Sequence, residues 1–292
     1  MAFNAQAFKT RTISAIIFAA VMLLGLLWNK WSFFILFSII HFGCWLEYQK
    51  IIGRIDPGYH DINPFHKYGI IVLGWGFMMF LSDNMVLVPG VSLSEVGWGL
   101  MLLLVITLPV VEILSKYPFR LKNFFFSMLG LLYISLPLAL MVNLRTEAIV
   151  NPGRLFDFDL GWIVPVILIS SIWINDTMAY IVGSFIGKTP FSSISPKKTW
   201  EGTIGGAVLA VATVSLVGYF VFGIPDIASL IAISLIAAVM GTLGDLLESK
   251  LKRMALLKDS GNIMPGHGGM LDRFDSLLIA IPFVWLYFQL IM

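Results

Sequence analysis

Asp245 and Glu248 stand three residues apart in "GTLGDLLESK", and Asp272 and Asp275 repeat that spacing in "LDRFD". Residues three apart share one face of a helix, so each pair presents two carboxylates together. Asp176, in "WINDTMAY", adds another acid at the end of an apolar run. Between the pairs, the stretch "SKLKRMALLKDSGNIMPGHGGMLDRFD", 249–275, carries Lys252, Arg253, Lys258, Asp259, His267 and Arg273. Oxygen ligands grouped without a cysteine or a histidine pair suit a hard ion such as Mg²⁺, held jointly with substrate phosphates. The glycines of "PGHGG", 265–269, let the backbone bend sharply and expose N–H groups to phosphate oxygens. A second basic group, Lys197 and Lys198 in "SISPKKTWEGTIGG", follows Ser195 as a candidate N-cap and Pro196 in an expected first helical turn. Both lysines then sit at a positive helix end that can receive an anion. The bland alternatives stay open here: a stop-transfer cluster for the lysines, and snorkelling or capping for each isolated acid. With no serine–histidine–acid arrangement in view, the ingredients point to phosphoryl or nucleotidyl transfer, where positioning and charge neutralisation do most of the work.

The elements that must position these groups are helices in a membrane. The chain has 292 residues, 58% hydrophobic and 12% charged, with a mean hydropathy of +0.89. Apolar runs at about 13–28, 31–48, 68–82, 96–114, 124–142, 161–187, 203–223, 227–246 and 277–292 predict nine transmembrane helices in an all-α, polytopic fold. They lack period-2 alternation, and an open sheet cannot satisfy its backbone in lipid. The first run follows Lys9 and Arg11, and no small-residue cleavage site comes after Trp28, so it reads as a span rather than a signal peptide. With the N-terminus cytoplasmic, 16 of the 19 Lys and Arg fall inside, leaving only Lys30, Arg145 and Arg154 outside. That skew follows the positive-inside rule and puts the C-terminus outside. The loops 188–202 and 247–276 then both face the cytoplasm. Cys44 is the only cysteine, which excludes an internal disulfide, and a net charge of +2 argues against nucleic acid as a partner. Gly202, Gly205 and Gly206 read as close helix packing rather than chemistry. We expect one membrane domain over 1–292, with helices 1–5 (1–160) as scaffold and helices 6–9 (161–292) carrying the chemistry.

The run Ser249, Lys252, Arg253, Lys258, Asp259, His267, Gly268, Gly269, Asp272, Arg273 and Asp275 resembles, position by position, the signature of the phosphatidate cytidylyltransferases, or CDP-diacylglycerol synthases. "WINDTMAY", "ISPKKTWEG" and "GDLLESKLKR" look like further blocks of that family, so the likeness is firm over 173–275. It is general in the first half, where length, hydrophobicity and Glu47 in "WLEYQK" fit. Met178 and Ser184 stand where a smaller and a basic residue are expected. The resemblance implies that CTP and phosphatidic acid become CDP-diacylglycerol and pyrophosphate, with Mg²⁺ and an open place for a second, monovalent or divalent, cation. It implies Asp245, Asp272 and Asp275 as metal ligands, with Lys252, Arg253, His267 and Arg273 beside them in catalysis. It implies Asp176, Lys197, Lys198, Thr199, Glu201, Ser249, Lys258, Asp259, Gly268 and Gly269 as substrate-binding. His267 is left open between assisting pyrophosphate departure and a structural role, and a homodimer rests on resemblance alone. The location follows as the cell's inner membrane, with the site on the cytoplasmic side. A CDP-alcohol or polyprenyl-phosphate phosphotransferase remains as an alternative, although no D-G-x-x-A-R block and no multi-His loop is present. A transporter is the further one, although its ionisable groups would line a path rather than cluster at one level.

Overall fold

The computed structural model describes residues 5–82, 84–118, 120–147, 161–263 and 268–291. In chain order it has α1 (Ala5–Leu27), α2 (Lys30–Ile55), α3 (Pro64–Phe80), α4 (Leu93–Leu114) and α5 (Leu121–Gly130). A π-helical turn at Leu131–Ser135 carries α5 without a break into α6 (Leu136–Glu147). There follow α7 (Ile163–Ile186), α8 (Trp200–Phe220), α9 (Ile227–Met254) and α10 (Leu271–Ile291). A small antiparallel hairpin, β1 (Val86–Val88) with β2 (Val91–Ser92), joins α3 to α4 through Gly90 at φ +86°. With α5, the π turn and α6 taken as one, each predicted run has its helix. Among the described residues, seven of these helices are long and apolar enough to cross a membrane. The two shorter ones are α3, at 17 residues, and the apolar part of α1, Thr12–Leu27. Several helices outrun their apolar stretch. α9 extends about two turns beyond residue 246, so Asp245, Glu248 and Lys252 ride on regular helix.

The chain forms two compact units. One comprises Met1–Thr146 with Met254–Arg273, the other Glu147–Arg253 with Phe274–Met292. In the first, α2 buries Phe33, Phe37, Ile40, Cys44, Trp45, Tyr48 and Ile51, a spacing of three to four that turns one face to the core. It starts at a capping box: Asn29 accepts the Ser32 N–H at 2.8 Å, and Ser32 Oγ accepts the Asn29 N–H at 3.1 Å. Ser135, at the end of the π turn, is fully buried. Its Oγ accepts the Trp45 indole N–H at 2.9 Å and pairs with His41 Nε2 at 2.9 Å. α3 and α4 meet backbone to backbone, since a Cβ on Gly97 would lie 2.5 Å from the Phe80 nitrogen.

In the second unit the small residues behave as their spacing suggests. A Cβ on Gly202 would lie 2.7 Å from the Ala179 carbonyl and 2.9 Å from Gly183 Cα. One on Gly206 would lie 2.7 Å from the Ala179 nitrogen. α8 therefore docks on α7 along a seam that admits no side chain. Gly206→Leu is expected to cost about 1–3 kcal/mol by overpacking this seam, visible as a lower unfolding midpoint in detergent, while Val208→Leu on the exposed face leaves the midpoint unchanged.

Candidate functional site

The second unit holds a cluster of charged side chains on α7, α9 and α10 and the loop before α8. Lys198 pairs with Asp245 Oδ2, and both side chains are half-buried. One turn along α9, Lys252 pairs with Glu248, whose carboxylate is fully buried. Asp275, on α10, is 5% exposed. Its Oδ1 accepts the Ser276 N–H at 2.6 Å, and it lies within electrostatic reach of Asp245, Lys252 and Asp176. Gly244 makes this approach possible, because a Cβ there would run into the Asp275 carbonyl oxygen. Asp176 is exposed on α7, with the Asn175 amide 3.4 Å from its Oδ1. Four carboxylates, Asp176, Asp245, Glu248 and Asp275, thus lie about two lysines. Among the described residues, no three His, Cys, Asp or Glu side chains converge closely enough to hold an ion alone. Mg²⁺ commonly takes one or two carboxylates and completes its shell with water and phosphate, so this donor set fits an ion brought in with a nucleotide.

The loop presenting Lys198 departs from the sequence expectation. Ser195 does not cap a helix and Pro196 is not in a first helical turn. Ser195–Lys198 is a tight turn, in which the Lys198 N–H reaches the Ser195 carbonyl at 3.0 Å. Proline in the second position favours that turn. α8 begins later, at Trp200, and Thr199 is its cap, accepting the Gly202 N–H at 3.2 Å. Glu201 reaches back to the loop, accepting the Lys188 N–H at 3.1 Å and the Thr189 hydroxyl at 2.7 Å. Thr199 and Glu201 therefore shape the loop. Lys197 stands exposed at its turn.

The signature segment of the first unit brings a second correction. Of the loop N–H groups expected to face phosphate, the one at Gly269 is taken by a carboxylate, and residues 265–267 lie outside the described residues. Gly269 donates to Asp272 Oδ2 at 2.7 Å and the Ser260 N–H donates to the same oxygen at 2.9 Å, with the Ser260 hydroxyl oxygen also 2.9 Å away. Met270 and Leu271 donate to Glu47 at 2.9 and 2.8 Å. The first turn of α10 has its own acid partners in place, as helix N-termini favour. Gly268, at φ +82°, is needed as glycine, since a Cβ would lie 2.6 Å from Asp272 Oδ2. Lys258, Asp259 and Arg273 are exposed on this segment. Ser249 is half-buried and Arg253 exposed at the end of α9 in the second unit. His267 lies outside the described residues, as does Arg154.

Sequence reasoning gave Glu47 no role and missed Ser260. A lone glutamate inside the apolar run of α2 is costly at membrane depth and was the available signal. It missed as well a buried relay in the first unit: Ser127 Oγ lies 3.0 Å from His66 Nε2, and His66 Nδ1 lies 3.4 Å from Glu112. Its order is that of nucleophile, base and acid. Ser127, however, has no exposed surface and also meets the Tyr59 hydroxyl at 3.3 Å, so it joins helices rather than facing a substrate.

The sequence profile of the cytidylyltransferase family matches residues 9–291. A phosphatidate cytidylyltransferase of Bacillus subtilis is 37% identical over 225 residues, 76% of this chain and 77% of that protein. One of Staphylococcus aureus strain COL is 36% identical over 171 residues, 58% of this chain and 61% of its own length. The chloroplastic phosphatidate cytidylyltransferase 4 of Arabidopsis thaliana is 42% identical over 136 residues, 47% of this chain and 34% of its own length.

Proposed function

Because the chain belongs to the cytidylyltransferase family, we infer that it transfers the cytidylyl group of CTP to phosphatidate, giving CDP-diacylglycerol and pyrophosphate. A lipid phosphate oxygen attacks the α-phosphorus, the bond from that phosphorus to the bridging oxygen breaks, and pyrophosphate leaves with the electron pair. The phosphate is anionic at neutral pH, so no strong general base is required and no covalent enzyme intermediate forms. The observation that carries this reading is the cluster of Lys198, Asp245, Lys252 and Asp275, with Asp176 in electrostatic range. Lys198, and Lys197 at the turn beside it, offset charge on the triphosphate. One or two of Asp245, Asp275 and Asp176, together with substrate phosphate and water, would hold Mg²⁺, which when bound would supply Lewis-acid charge neutralisation. Asp272 has one oxygen engaged by Ser260 and Gly269, so its part is first to shape the signature segment. Lys258 and Arg273, both exposed, are proposed to take phosphate charge. A CDP-alcohol or polyprenyl-phosphate transferase and a transporter are less well supported by the family membership.

The chain is a multi-pass membrane protein, and the proposal extends to its orientation. Nine spans, a cytoplasmic N-terminus, an outer C-terminus and a site at the cytoplasmic face of the inner membrane are supported by the excess of Lys and Arg in alternate loops. A homodimer is part of the proposal by resemblance only.

The test is pyrophosphate release from protein reconstituted in liposomes with phosphatidate and one of CTP, dCTP, ATP or GTP. Turnover is expected only with a cytidine nucleotide and lipid together, and to vanish in EDTA and return with added Mg²⁺. Turnover with ATP, or without the lipid, overturns the assignment.

A further inference from the structure

We propose that Glu47 is a positioning residue for the cytidylyl transfer inferred above, anchoring the signature segment 258–273 from a helix distant in sequence. Glu47 lies in the middle of α2 and is 5% exposed. Its Oε2 accepts the Ser260 hydroxyl at 2.6 Å and the Leu271 N–H at 2.8 Å, and its Oε1 accepts the Met270 N–H at 2.9 Å. The three donors come from both ends of the segment, so one carboxylate ties its start to its finish. Glycines on either side make room, since a Cβ on Gly261 or on Gly269 would collide with the Glu47 carboxylate. Ser260 links Glu47 to Asp272, because its hydroxyl lies within hydrogen-bond distance of both acids. Lys258 and Asp259 before Ser260, and Asp272 and Arg273 in the first turn of α10, are thereby held at the two described ends of the segment. Two opposed acids gathering five donated hydrogens define one conformation. A buried carboxylate is poorly replaced by any other group there, since an amide would turn a donor toward donors.

The experiment uses the full chain in detergent with Glu47→Gln, and Gly261→Ala as a second variant that disturbs the same contact without removing a charge. Initial rates with phosphatidate and CTP give kcat and KM. Each variant is also made with Asn262→Cys, and the labelling rate of that exposed position is measured. The native Cys44 is buried and stays silent. The expected result is a fall of roughly 10- to 100-fold in kcat, on the scale of a 1 Å misplacement, with faster labelling at 262 and an unfolding midpoint near that of the parent. A double variant with Ser260→Ala is expected to be little worse than Glu47→Gln alone, because both act through one contact. Unchanged kcat and labelling in both folded variants would overturn the proposal. Parent protein that turns over no CTP would overturn the inferred reaction itself.

Discussion

Asp275→Asn is expected to cut pyrophosphate release by roughly 1,000-fold, which corresponds to several kcal/mol of lost charge stabilisation in the transition state. The amide keeps the shape of the side chain and still offers Oδ1 to the Ser276 N–H. What disappears is the charge shared with Asp245 and Asp176. Folding survives, because a neutral amide is easier to bury at this 5%-exposed position than a carboxylate. Reconstituted variant protein with an unaltered unfolding midpoint and a rate within threefold of the parent would remove Asp275 from the reaction. A rate restored by raising Mg²⁺ into the tens of millimolar would reassign the loss to ion affinity.

Lys252→Met is expected to destabilise the protein by about 3–5 kcal/mol, the usual result of removing one partner of a buried ion pair. Glu248 has no exposed surface, and the lysine that neutralises it is itself 9% exposed. The loss arises from the charge left behind more than from the contact removed. Glu248→Gln combined with Lys252→Met should therefore recover most of the stability that the single change loses. Unfolding midpoints of both single variants and the double variant in one detergent form the cycle. A Lys252→Met protein as stable as its parent would show that water reaches Glu248.

The helical fold was legible because lipid leaves few choices: long apolar runs have one solution, and each has its helix. Helix ends were less legible. α9 runs on through Lys252 and Arg253 because polar residues continue a helix once it leaves hydrocarbon, and apolar content cannot mark that end. Proline at 196 carried two meanings, first helical turn or second turn residue, and the cap at Thr199 decided between them. In the candidate site, Asp245 and Asp275 were visible because acids at that depth are rare. Their lysine partners were visible as charges but not as pairs. The fastening of Ser260, Met270 and Leu271 to Glu47 was invisible, since it joins groups more than 200 positions apart and no local pattern encodes such a contact.

The π turn at Leu131–Ser135 holds one residue more than the α-helix on either side would use, and one residue is about 100° of helix rotation. Removing that residue is therefore expected to cost far more than substituting any one side chain of the turn. Straightening the helix by losing a residue would swing Leu138, Met141 and Val142, all fully buried, out of the core together. Ser135 would leave His41 and Trp45 in the same stroke. The register of everything beyond the turn is thus set by a single residue of helix length, which makes this helix tolerant of substitution and intolerant of deletion.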